Sequence, residues 1–148
     1  MSKLIVYKAS AGSGKTFTLA VEYIKLLLSD PTAYRHILAV TFTHKATAEM
    51  KERILGQLYA LSRNLPESAP YLNVLREGTG LSEQAIREKT GEALTRIVHD
   101  FGNFRVETID SFFQSVMRNL ARELELSPGL DIELDQDKVI KEAVENLL

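Results

Sequence analysis

The chain has 148 residues and no cysteine, which excludes disulfides, thiolate metal sites and cysteine catalysis and leaves room for one domain with a real core. Its 45% apolar and 26% charged content is that of an ordinary globular protein. No run of eighteen apolar residues would span a membrane, and Lys8 and Lys15 interrupt any secretory signal, so the natural reading is cytoplasmic. The net charge of −2 hides an asymmetry: residues 1–64 carry nine Lys and Arg against four Asp and Glu, whereas residues 65–148 carry nine against sixteen. A basic N-terminal half suits an anionic ligand or nucleic acid, although part of that charge can simply balance a bound nucleotide.

Leu4 to Lys8 reads as a short buried strand. Residues 15–29 read as a helix, with Leu19, Ala20, Tyr23, Ile24, Leu27 and Leu28 on one face, ended by Asp30-Pro31. Ile37 to Phe42 is apolar without alternation, as in a parallel strand covered on both faces. A second helix over residues 45–63 lines up Ala46, Met50, Ile54, Leu58 and Leu61. Pro66 and Pro70 each fit the first turn of a short helix, and Ser82-Glu83 starts a helix to about Val98. Gly102-Asn103 reads as a turn and Arg105 to Ile109 as a third strand. Asp110 is expected to cap a helix running to about Leu124. After the break at Ser127-Pro128-Gly129, Asp137 to Leu148 is amphipathic and ends without a cap, which reads as a chain cut inside a larger protein. The alternation of strand and helix predicts an α/β fold with a parallel sheet.

The most informative segment is Ala9-Ser10-Ala11-Gly12-Ser13-Gly14-Lys15-Thr16, between the first strand and first helix. A nucleoside triphosphate needs many closely packed donors. Glycines at 12 and 14 let backbone N–H groups approach, and the helix N-terminus adds partial positive charge. Lys15 can reach the β- and γ-phosphates, and the Thr16 hydroxyl can sit on Mg²⁺. The cradle expected for ATP therefore runs from Ala9 through Phe17, with Lys15 and Thr16 as the catalytic pair. Ala9 departs from the glycine that usually opens this loop.

Two further segments follow strands. After the second comes Thr41-Phe42-Thr43-His44-Lys45, continuing to Glu49-Met50-Lys51-Glu52-Arg53-Ile54. Hydroxyls and Lys45 suit phosphates and Phe42 suits base stacking. Periodicity alone favours Phe42 in the core, and it equally accommodates Lys45 and Arg53 on a solvated helix face. After the third strand comes Thr108-Ile109-Asp110-Ser111-Phe112-Phe113. There Thr108 and Ser111 can meet a phosphate at a helix start, although taken alone the segment reads first as an ordinary helix cap with Phe112 and Phe113 in the core.

Together these three segments resemble the first three motifs of UvrD/Rep-type superfamily 1 DNA helicases. The Ala-Ser-Ala-Gly loop and the Thr-Ile-Asp-Ser-Phe run resemble the RecB/AddA helicase–nuclease branch, in which Ala at position 9 is usual. The resemblance implies a P-loop NTPase, RecA-like parallel sheet flanked by helices, with a helical insertion, forming an incomplete motor domain. It implies that Lys15 and Thr16 bind phosphate and Mg²⁺. Thr41, Phe42, Thr43, His44 and Lys45 would line single-stranded DNA, and Thr108, Ser111 and Phe112 would contact the strand further along. Family members usually carry Asn where His44 stands and often His where Asp110 stands; an acid near DNA phosphates would repel them, so Asp110 is better read as a helix cap. The expected layout is a nucleotide-binding βαβα core over 1–64, a helical insertion over 65–104, a return to the core over 105–126, and an acidic start of a further helical subdomain over 127–148.

The implied activity is that of the N-terminal part of an ATP-dependent 3′-to-5′ DNA helicase and exodeoxyribonuclease. It would act at DNA ends in double-strand break repair and recombination, and its partner would be a second helicase–nuclease subunit. An upstream Gln for adenine, an Asp-Glu pair at a strand end to hold Mg²⁺ and activate water, and an arginine finger are missing from this sequence. The polypeptide is therefore expected to bind ATP at best and to hydrolyse it negligibly. Competing readings are a small nucleotide kinase, whose arginine-rich lid is not evident in Arg76, Arg87 and Arg96, a non-catalytic nucleotide switch, and DNA binding without ATP coupling.

Overall fold

The computed structural model describes residues 4–7, 14–123, 140 and 144. Two compact units divide at the end of the last strand, residues 1–108 and 109–148.

In the first unit, α1 (Lys15–Ser29) follows the glycine loop and buries Ala20, Val21, Tyr23, Ile24, Leu27 and Leu28. This is the expected face, except that Leu19 stands half exposed and Val21 takes its place. Asp30 ends the helix in a local turn. Its carboxylate accepts from the Thr32 N–H at 2.8 Å and the Thr32 hydroxyl at 2.7 Å, which lowers its pKa, the backbone bond contributing most.

Strand β1 (Ala39–Thr41) is shorter than expected and leads into α2 (His44–Arg63). Met50, Ile54, Leu58 and Leu61 form the buried stripe of α2, as the periodicity predicts. Helix α3 (Ala69–Thr79) has Pro70 in its first turn and ends on Gly80 in the left-handed region. Helix α4 (Glu83–His99) is capped by Ser82, whose hydroxyl accepts from the Ala85 N–H at 3.2 Å. The Gly102-Asn103 turn is a short 3₁₀ segment over Phe101–Asn103, and β2 (Val106–Thr108) follows. Ile24, Leu27, Ile54, Leu58, Leu75, Ile86, Ala93 and Ile97 are all fully buried, so α1 to α4 share one core.

The two strands pair in parallel, Ala39 with Val106, Val40 with Glu107 and Thr41 with Thr108. Their alternation corrects the expectation of a strand covered on both faces. Val106 and Thr108 turn into the core, whereas Leu38, Val40 and Phe42 are 37%, 45% and 87% exposed. Leu4 to Tyr7 also differs from the expected buried strand: it forms no strand and all four side chains are exposed.

A tie holds the 3₁₀ segment after α1, Ala33–His36, to the end of α4. The Asp100 carboxylate accepts from the Tyr34 hydroxyl at 2.9 Å, Arg35 Nε at 2.7 Å and Asn103 Nδ2 at 2.7 Å. The Asn103 amide, then the Tyr34 hydroxyl and the Arg35 guanidinium, hold this carboxyl below its usual range.

The second unit opens with α5 (Ile109–Glu123). Asp110 lies inside its first turn rather than capping it, so its carboxylate still meets the partial positive charge of the helix start. Phe113, Met117 and Leu120 make an exposed apolar stripe, and Phe112 is half-buried with its ring centroid 5.7 Å from that of Phe113. The amphipathic segment expected over 137–148 lies outside the described residues except for Ile140 and Val144. Both are helical and exposed, at 61% and 52%.

Candidate nucleotide and nucleic-acid interface

Gly14 precedes α1 with φ 81° and ψ 17°, a left-handed backbone that disfavours any residue with a Cβ. The helix bonding begins at once, with the Thr18 N–H donating to the Gly14 carbonyl at 2.9 Å. Among the described residues no side chain caps this helix start and no acid stands in its first turn. The first N–H groups of α1 are thus not neutralised by a carboxylate of their own, which is what a bound anion requires. Lys15 is exposed and Thr16 and Phe17 are half-buried. Ala9, Ser10, Ala11, Gly12 and Ser13 lie outside the described residues. Of the expected cradle, the described residues are Gly14 through Phe17, and they place a left-handed glycine directly ahead of α1.

At the carboxyl end of β1 the chain turns sharply. Thr43 is the N-cap of α2, its hydroxyl accepting from the Ala46 N–H at 3.1 Å. The Thr41 and Thr47 hydroxyls lie 2.6 Å apart, and each lies 3.2 Å from the Thr43 carbonyl. This network fixes both sides of Phe42, whose ring stands 87% exposed. Exposure removes the core reading of Phe42. A solvent-facing ring is what base stacking needs, because its face is open to a base.

His44 and Lys45 open α2 and are exposed. Among the described residues Lys45 has only a long contact to Glu49, 3.9 Å, between largely exposed side chains, too weak to hold the ammonium away from a phosphate. Arg53 is likewise exposed on α2. Because Thr41 and Thr108 are register partners, both motif segments begin at the same end of the sheet. Thr108 is itself 4% exposed, so its side chain belongs to the core face of β2. Ser111 and Phe112 are half-buried on α5.

Sequence reading missed Thr47. Its link to Thr41 crosses a turn and a helix start, and only its spacing of four residues from the capping Thr43 hinted at it. It also missed Tyr71 of α3, whose ring packs on Phe17 at a centroid distance of 4.4 Å, because nothing local connects the two.

A family model described as the UvrD/REP helicase N-terminal domain matches residues 1–148, the whole chain. The chain belongs to the UvrD/Rep helicase family. Within that family it is similar to an ATP-dependent helicase/nuclease subunit of Moorella thermoacetica, 30% identical over 94% of this chain and 9% of the relative. The protein of the same name from Lactobacillus johnsonii is 31% identical over 95% of this chain and 10% of the relative. RecBCD enzyme subunit RecB of Escherichia coli is 44% identical over 36% of this chain and 5% of the relative. The chain thus spans about a tenth of the length of such relatives. No solved structure gives a significant match. In this UvrD/Rep N-terminal domain, no helix among the described residues is long and apolar enough to cross a membrane.

Proposed function

We propose that this chain supplies the nucleotide loop and the first strand contacts of an ATP-driven 3′-to-5′ DNA helicase–nuclease of the RecB/AddA kind, working with a second subunit on single-stranded DNA at broken ends. The observation that carries the reading is the whole-chain match to the UvrD/Rep N-terminal domain. It is supported by an uncapped helix start behind a left-handed Gly14 and by Phe42 held in solvent beside Lys45.

On this reading the fold is a P-loop, RecA-like motor domain in which residues 65–104 are an insertion. Lys15 binds the β- and γ-phosphates, and Thr16 places its hydroxyl on the Mg²⁺ that accompanies ATP. Backbone N–H groups of the loop take the remaining phosphate oxygens. Bound Mg²⁺–ATP supplies the free energy of phosphoryl transfer. Phe42 stacks on a base, while His44, Lys45 and the N–H groups at the start of α2 meet the phosphates beside it. Thr108, Ser111 and Phe112 are further contacts to the strand on this reading, as the resemblance of their segment implies.

The test is strand displacement by the natural full-length protein on duplexes carrying a 3′ or a 5′ single-stranded tail. ATP-dependent unwinding from the 3′ tail, abolished by Lys15→Ala, is expected. Unwinding from the 5′ tail alone, or activity that survives Lys15→Ala, contradicts the proposal.

A further inference from the structure

Helix α3 lies along α1 in the same direction. Near the start of both, the Tyr71 ring packs on Phe17 with centroids 4.4 Å apart and planes tilted by 54°. Further along, Gly78 backs onto Lys25 so closely that a Cβ on Gly78 would sit 2.8 Å from Lys25 Cε. Phe17 directly follows Thr16 and belongs to the first turn of α1, the turn closed by the Thr18 N–H bond to the Gly14 carbonyl. The contact therefore reaches the part of α1 that carries Lys15 and Thr16. Tyr71 is 5% exposed, and its hydroxyl is buried without a hydrogen-bond partner among the described residues. A buried hydroxyl in that state contributes nothing favourable, so what Tyr71 supplies is its ring.

We propose that Tyr71 is a positioning residue for the nucleotide loop: through its ring on Phe17, α3 clamps the first turn of α1, and packing of α3 is coupled to occupation of the loop. The coupling rests on the nucleotide-binding reading of the loop. It is reciprocal: a nucleotide that fixes the first turn of α1 tightens α3, and loosening α3 weakens the nucleotide. The ring contact is non-local and leaves Lys15 and Thr16 chemically unchanged, so its loss acts on geometry rather than on charge.

Two measurements on the purified protein test this. The first is amide hydrogen exchange without nucleotide, comparing wild type, Tyr71→Ala and Tyr71→Phe. Tyr71→Ala removes a buried ring as well as an aromatic pair, so it should speed exchange at the Thr18 amide roughly ten-fold or more, and by clearly more than at amides of α4 from Ile86 to Ile97. Tyr71→Phe should match wild type. The second is titration with a fluorescent ATP analogue and Mg²⁺, in which Tyr71→Ala should weaken binding by a similar factor and Tyr71→Phe should not. Equal loss of protection in α4 would make Tyr71 an ordinary core residue and overturn the proposal. So would a Tyr71→Phe variant that behaves like Tyr71→Ala, or a Tyr71→Ala variant with wild-type exchange and affinity. If wild type shows no nucleotide binding, the coupling falls together with the nucleotide reading. If wild type binds and Tyr71→Ala binds equally well, only the positioning role falls.

Discussion

Phe42→Ala separates a stacking platform from a core residue. The ring is 87% exposed, so its removal uncovers almost no apolar surface that folding had buried, and stability should change by no more than about 0.5 kcal/mol. Stacking of a base on an aromatic ring is worth about 1–3 kcal/mol, which translates into a roughly five- to 150-fold weaker Kd for single-stranded DNA. The assay is fluorescence anisotropy with a labelled oligothymidylate at fixed salt, run beside thermal melts of both proteins. Repeating it over a salt series with Lys45→Ala distinguishes the neighbouring contributions. Loss of one phosphate contact should flatten the slope of log K against log salt by about 0.7, whereas Phe42→Ala should leave the slope unchanged. Wild-type affinity in Phe42→Ala would refute the stacking role, and a melting point several degrees lower would show the ring to be packed.

Three further outcomes follow from the hydrogen-bond geometry and burial. Thr47→Val removes a hydroxyl lying 2.6 Å from that of Thr41 and should cost about 1 kcal/mol of stability in a chemical melt. It should also weaken single-strand binding although Thr47 is not placed on the strand, because the turn that displays Phe42 loosens. Burial pushes the Tyr23 phenol above its usual range, and its hydroxyl has no partner. The unfolded chain releases that proton near pH 10 while the folded chain keeps it, so stability is complete below about pH 10 and falls as pH rises further. Tyr23→Phe should remove this alkaline loss in melts run from pH 8 to 11 and should raise the melting point at neutral pH. Asp100, held low by Asn103, Tyr34 and Arg35, has the opposite sign: its contribution is present above about pH 4 and is lost as pH falls through its folded value. Asp100→Asn should therefore flatten the acid limb of a circular-dichroism titration relative to wild type.

The helices were legible because their stripes are strictly periodic. Met50, Ile54, Leu58 and Leu61 could fall on one face only of a helix, and Ser82 announced the start of α4. The strands were less legible. Leu38, Val40 and Phe42 are apolar yet face outward, so the period of two that marks a one-sided strand is erased from the sequence although the structure obeys it. The same loss of contrast made Leu4 to Tyr7 read as a buried strand. In the candidate site, the left-handed Gly14 ahead of α1 was legible because a glycine at a strand-to-helix loop marks a backbone that other residues avoid, whereas the exposure of Phe42 was not, since its apolar run fits a core equally by composition. Thr47 and Tyr71 escaped because their partners are chosen by a turn and by helix packing, which no local pattern encodes.

The central claim is that Lys15 and Thr16, behind the left-handed Gly14, form a nucleotide site. Titration of the protein with a fluorescent ATP analogue, with and without Mg²⁺, tests it most directly. Saturable binding is predicted, weakened about tenfold or more by Lys15→Ala and made largely independent of Mg²⁺ by Thr16→Ala. An affinity identical in wild type and Lys15→Ala would contradict the account.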